Sequence, residues 1–134
     1  MDLYSDEIRW KQRFDNFEKS FILFKSLISL EEYDEIERLA FVKSFEMVFE
    51  LSWKLLKDYL ELEGFIVKSP RQTIKQAFEI SLIKKGDIYL KALEIRNNLA
   101  HRYDDEYSNE VISFIKCEFI EELDELYKFF KGRL

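Results

Sequence analysis

The sequence predicts an all-α fold: an antiparallel up-and-down bundle of four to five helices that pairs with a second copy as a homodimer. Three observations carry the bundle. Apolar residues recur at steps of three and four along nearly the whole chain, which is the helical period. Gly 3 and Pro 1 leave few places for a helix to break. Strand-like and helix-like patterns do not alternate, which argues against a doubly wound sheet. The length of 134 residues suits one ordinary domain, read as 1–134, and 47% hydrophobic content with 13 Phe excludes disorder.

The first helix is drawn by Trp10, Phe14, Phe17, Phe21, Phe24 and Leu27, a single packing seam. Trp10 and Phe14 lie beside Ile22 and Leu23 on other faces, more apolar surface than a small bundle easily hides. That surplus is the motive for expecting a homodimer face, a thick aromatic core being the alternative. The second helix follows the Ser29 to Glu35 region with Leu39, Phe41, Phe45, Val48, Phe49, Trp53, Leu56 and Leu60, and ends near Gly64. Ser69, Pro70 and Gln72 start the third: a Ser cap, Pro at the first helical position, and Gln placed to reach back to the cap amide. This helix is expected to run to Leu82 or Ile83 and stop at Lys84, Lys85 and Gly86. Asp87 is a candidate cap for a fourth helix carrying Ile88, Leu90, Leu93, Ile95 and Leu99. Ser108 or Asn109 is a candidate cap for a fifth, with Ile112, Ile115, Phe119, Leu123, Leu126 and Phe130 as its stripe.

The 27 acidic residues against 21 Lys plus Arg give a net charge of −6, so nucleic acid would need a local concentration of cations. Cys117 is the sole cysteine, which rules out an intrachain disulfide or thiolate cluster and fits a reducing compartment. The charged start and the lack of any long apolar run predict a cytoplasmic protein with no membrane association. No cofactor is expected, since no Gly-rich phosphate loop is present. No metal is expected either: the acid-rich stretches Glu31 to Glu37 and Asp104 to Glu106 lack calcium-loop spacing and adjoin helix N-termini, where acids are favoured. Lys54, Lys57, Lys68 and Arg71 fit either a basic patch or ordinary solvated faces.

Chemically capable side chains concentrate between Glu94 and Asp104, around His101, the only histidine. Asn97 and His101 are four residues apart and share a helical face; Arg96 and Tyr103, seven apart, nearly superpose. Arg96 and His101 are separated by about 140° on an ideal helix and converge only if the helix bends or ends near His101, or if the long Arg side chain reaches around. Imidazole can exchange a proton at neutral pH and guanidinium offers a fork to phosphate oxygens, so the pair suits phosphodiester cleavage. His101 would act on a ribose 2′-hydroxyl or the leaving oxygen, and Arg96 on the charge building at phosphorus. A two-fold dimer would supply a second histidine. The same residues also fit a plain structural role, with Arg96 paired to an acid such as Glu94 and His101 bonding a carbonyl at a helix end.

The run from Phe45 to Leu60 with its Trp53 and Lys54, the Ser69-Pro70-Arg71 start with Ala77-Phe78 behind it, and Arg96-Asn97 followed by His101 and Tyr103 together resemble the HEPN superfamily. The resemblance lies with its branch of nucleotidyltransferase substrate-binding proteins and HepT-like toxins, and it spans nearly the full chain. It implies a homodimeric helical bundle whose two Arg-His motifs meet in a cleft and, in active members, cleave RNA without a metal. Arg96 and His101 match the catalytic positions and Asn97 the polar residue that orients the site. Tyr103 matches the tyrosine that a small partner nucleotidyltransferase of the MNT type, the antitoxin, adenylylates; attached AMP would add bulk and negative charge beside a phosphate cleft. Some relatives carry an acid directly before the arginine, where this chain has Ile95, with Glu94 one residue earlier. The resemblance also allows a non-catalytic alternative, a substrate-binding subunit of a two-component nucleotidyltransferase.

Overall fold

The computed structural model describes residues 3–134. The elements are α1 (Leu3–Ile28), α2 (Glu35–Leu62), α3 (Pro70–Glu79), α4 (Gly86–Asn98), α5 (Asp105–Phe114), a π-helical turn (Ile115–Phe119) and α6 (Ile120–Lys131). The last three run on without a break as one C-terminal rod, and no strand occurs among the described residues.

Cross-contacts fix the directions. Arg13 on α1 meets Asp58 on α2 at 3.0 Å, while Phe24 meets Phe41, so the two helices are antiparallel. The rod follows α2 in the same direction, Phe119 against Phe49 and Phe130 against Tyr59. Helix α4 runs against the rod, Tyr89 touching Phe119 and Asn98 touching Tyr107. The long members are α1, α2, α4 and the rod, with α3 as the extra short helix between α2 and α4.

The ends explain where expectation and structure differ. Helix α2 begins with a reciprocal capping box in which Asp34 accepts from the Glu37 amide at 2.7 Å and Glu37 accepts from the Asp34 amide at 3.0 Å. It closes at Gly64, whose φ of +95° suits glycine, with the Phe65 amide returning to the Leu60 carbonyl at 2.9 Å. Ser69 caps α3 as anticipated, but Gln72 accepts from the amide of Lys68, one residue before the cap. Helix α3 ends at Glu79, short of Leu82 and Ile83. Ser81 takes the left-handed conformation at φ +63°, and the Leu82 amide bonds the Ala77 carbonyl at 2.8 Å, a Schellman closure.

Asp87 lies inside the first turn of α4 rather than capping it; the cap position is Lys85, with no side-chain bond. Helix α5 starts earlier than Ser108 or Asn109, because Asp104 accepts the Tyr107 amide at 2.9 Å. Both acid-rich stretches therefore serve helix N-termini, and no group of three metal-ligating side chains is gathered among the described residues. No helix among them is long and apolar enough to cross a membrane.

The π turn has a packing reason. Two successive steps of four, Ile115 to Phe119 to Leu123, would drift about 80° round an α-helix. A wider turn with i→i+5 bonds rotates less per residue and keeps all three inward. All three are fully buried, in one continuous hydrophobic cluster with the α1 stripe of Trp10, Phe14, Phe17, Phe21 and Phe24. Lys116, in the same turn, donates to the Leu30 carbonyl and holds the α1–α2 connection. Ile22, Leu23 and Leu39 remain on the surface; Leu39, placed in the α2 stripe by spacing, faces outward.

Phe119 packs against Phe45, Phe49, Tyr89 and Phe114 with ring centroids 5.4–6.3 Å apart, tying α2, α4 and the rod together. Phe119→Ala is expected to cost about 3–5 kcal/mol, read as a lower urea midpoint at unchanged slope. Asp104 tests the helix cap through pH. The Tyr107 amide, and then the Arg102 guanidinium, hold its carboxyl below the ordinary value of 3.8. A depressed carboxylate contributes stability above its unfolded pKa and loses it as pH falls through the folded one. The melting-temperature gap between wild type and Asp104→Asn should be present at neutral pH and close below pH 3.8.

Candidate functional site

Helix α2 carries, on the edge facing α4, two carboxylates one turn apart, Glu46 and Glu50. Glu50 is a hub. One oxygen accepts the Arg96 guanidinium and the other accepts the Trp53 indole N–H at 3.0 Å, with Lys54 Nζ at 3.8 Å. The second Arg96 nitrogen donates to Asn97 Oδ1 at 3.0 Å. The guanidinium is thus gripped from two sides while its side chain stays about one-third exposed. Glu46, half-buried, accepts from the Tyr103 hydroxyl at 3.3 Å and has Lys43 at 3.7 Å; the Lys43 ammonium also sits 5.9 Å from the Tyr103 ring centre.

Arg96 and Tyr103 therefore reach neighbouring positions on α2, though not by superposing on one helix. Helix α4 stops at Asn98, and the chain turns through Leu99 to Arg102 before reaching Tyr103. In that turn the amides of His101 and Arg102 both donate to the Asn98 carbonyl, at 2.9 and 3.0 Å. Leu99 is fully buried and pins the turn. His101 lies between the two anchored residues in sequence, and it is exposed, as is Asn97. Arg102 bonds Asp104 at 3.1 Å and lays its guanidinium over the Tyr107 ring at 4.4 Å. That contact with Asp104 also raises the guanidinium's already high pKa, so its charge is permanent.

The structure brings Arg96, Asn97 and Tyr103 to one edge where α4 ends against α2, with exposed His101 on the turn between Arg96 and Tyr103. The acid paired with Arg96 is Glu50, from another helix, rather than Glu94: a contact 46 residues away in sequence is invisible to local spacing. Trp53, read as a core aromatic, is buried but also gives its indole N–H to this network. The signal that was available is the four-residue spacing of Glu46 and Glu50 beside the buried stripe of α2. Lys54 and Lys57 are paired with Glu50 and Glu61 of their own helix and do not form a free basic patch.

Chemically, the edge offers a solvent-open imidazole for proton exchange, a fixed guanidinium whose remaining N–H groups can meet an anion, and a half-exposed phenol beside a carboxylate. Those are the parts of a phosphate-handling surface.

No curated protein matches the chain. Among solved structures, it is similar to a Thermus thermophilus protein of known crystal structure, with 27% identity and a TM-score of 0.76, over 82% of this chain and 94% of that one. Residues 12–132, which include every residue of the edge, match the family described as nucleotidyltransferase substrate binding protein like. With nearly its whole length in that match, the chain belongs to the nucleotidyltransferase substrate binding protein like family.

Proposed function

We propose that the protein is a metal-independent HEPN ribonuclease, the toxin subunit of a pair whose partner nucleotidyltransferase neutralises it by complex formation and by adenylylating Tyr103. The observation that carries this reading is the anchoring of Arg96 on Glu50 and Tyr103 on Glu46, one helical turn apart, with exposed His101 on the turn between them. In the proposed reaction His101 takes the proton of a ribose 2′-hydroxyl, and the alkoxide attacks the adjacent phosphorus as the 5′-oxygen leaves. Arg96, oriented by Glu50 and Asn97, binds the charge that builds on the phosphoryl oxygens. The leaving oxygen needs an acid, and a two-fold dimer supplies it as the second copy's imidazole.

A face for that dimer is available beside the site. Ile36, Leu39 and Met47 are 79%, 55% and 57% exposed and line the outer side of α2, with Tyr103 at 48% next to them. Apolar groups so exposed on one helix are what a self-complementary interface would cover. Pairing also doubles the guanidinium groups at the cleft, which a chain of net charge −6 needs in order to hold RNA. Attached AMP at Tyr103 would set a phosphate close to His101 and exclude the substrate by volume and like charge.

A second reading is favoured by the family's own description: a non-catalytic subunit that presents substrate to a separate nucleotidyltransferase. The ion pair between Arg96 and Glu50 fits that role as well, since it partly neutralises the guanidinium.

Cleavage of a labelled RNA pool by EDTA-treated protein, shown by intact mass to be unmodified at Tyr103, separates the two. The ribonuclease reading expects cleavage that weakens as salt rises and is lost in a folded His101→Ala variant. No cleavage by the folded wild-type protein, together with a stable complex with a nucleotidyltransferase, would establish the second reading instead.

A further inference from the structure

A cationic surface on α3 is used by neither reading. Between Gly64 and Phe78 the sequence holds three cations, Lys68, Arg71 and Lys75, and no acid. Elsewhere lysines are cancelled locally: Lys11, Lys19, Lys43, Lys54 and Lys57 each pair with a carboxylate three or four residues away on their own helix. Lys68, Arg71 and Lys75 are all exposed, and none forms an ion pair with another described residue. That includes Glu79, the acid one turn beyond Lys75.

Helix α3 sets these groups on one side. Its buried residues are Thr73, Ile74 and Ala77, on the side packed against α2 and α4. Arg71, Lys75 and Phe78, at steps of four and three, therefore line the outward face. Lys68 is tied to the first turn, because its amide donates to Gln72 Oε1 at 2.9 Å. No acid stands in that turn, so the partial positive charge of the helix start adds to the side chains.

Phe78 adds a flat ring to the same face, about half of it open to solvent. Its other side rests on the start of α4 at Gly86, where a Cβ would stand 3.1 Å from the ring carbon Cγ. The backbone of Gly86 has no left-handed φ to require glycine, so the missing side chain serves clearance and gives the ring a fixed seat. Cations beside a seated aromatic are the parts of a single-strand binding surface, where phosphates meet the charges and a base stacks on the ring. The ring decides among polyanions. An acidic protein segment brings no flat face to it and a duplex hides its bases, whereas an unpaired strand brings both phosphates and open bases.

We propose that the outward face of α3 binds single-stranded RNA, with Lys68, Arg71 and Lys75 on backbone phosphates and Phe78 stacked on a base. The proposal takes RNA as the ligand from the ribonuclease reading and deepens that reading by naming where the strand is held.

The test is fluorescence anisotropy of a labelled, uncleavable 2′-O-methyl RNA oligonucleotide with the full-length protein over a range of salt concentrations, beside Arg71→Gln, Lys75→Gln and Phe78→Leu. Melting temperatures verify the fold of each variant. Arg71→Gln and Lys75→Gln should each reduce the slope of log affinity against log salt by about 0.7. Phe78→Leu should weaken RNA binding by about tenfold at unchanged slope, and should bind inorganic polyphosphate, a polyanion without bases, as the wild type does. Arg71 and Lys75 are exposed, so their variants keep the test decisive if Phe78→Leu unfolds. No binding by the wild type, slopes unchanged in both cation variants, or full RNA affinity in a folded Phe78→Leu would each overturn the surface. Cleavage of the unmodified oligonucleotide, followed in parallel, keeps the two claims apart. Cutting by the wild type with binding unaltered in the variants removes the surface alone, while binding that the variants weaken as expected, without any cutting, supports the surface and removes the ribonuclease reading.

Discussion

The molecule depends on what α2 does with its two kinds of surface. Its inward faces carry Phe41, Phe45, Val48, Phe49, Leu55, Leu56 and Leu60, all essentially without solvent contact, and bind α1, α4 and the C-terminal rod into one cluster. Its remaining edge carries Glu46 and Glu50. A half-buried carboxylate is satisfied by donors, and Glu50 finds two, a guanidinium and an indole N–H, with the Lys54 ammonium paired at 3.8 Å. The buried Leu93, Ile95 and Leu99 seat the end of α4, and Glu50 then orients the Arg96 guanidinium there. The aromatic packing that stabilises the fold and the hydrogen bonds that shape the site are thus two faces of one helix.

Electrostatics set the terms on which that site can bind an anion. Most cations near it are already engaged: Arg96 with Glu50, Lys54 with the same carboxylate, Lys43 with Glu46, and Arg102 with Asp104. These pairs are exposed enough to be modest in energy, and their value is orientation rather than stability. A guanidinium held on one side by carboxylate keeps its remaining N–H groups aimed in one direction.

Periodicity and capping chemistry are local, and they made the helices legible in the sequence. The α1 stripe, the Ser69-Pro70 start and the stop at Gly64 could all be read from neighbours in the chain. Ser81 misled because a non-glycine residue in the left-handed region carries no sequence flag, and Asp87 and Ser108 misled because a cap is chosen by backbone geometry among several eligible side chains. The π turn left only the paired four-residue steps around Phe119. Of the site, the cluster from Arg96 to Tyr103 was evident, since polar residues with a lone histidine stand out on a helix. Its supports were not. Glu46 and Glu50 lie 57 and 46 residues from the groups they hold, and only the packing of α2 against α4 brings them there.

Function on this reading turns on the α2 carboxylates holding Arg96 and Tyr103, on either side of His101 in the chain, in a form that receives RNA phosphate. His101 is the only histidine, so its imidazole gives a single, unambiguous set of NMR resonances. The measurement is titration of the protein with an uncleavable 2′-O-methyl RNA oligonucleotide, in wild type and in Glu50→Ala, with methyl spectra to verify the fold. The imidazole resonances are predicted to move on titration in the wild type, and the movement to disappear largely in Glu50→Ala. Resonances that stay still in the wild type, or that move equally in both proteins, would contradict it.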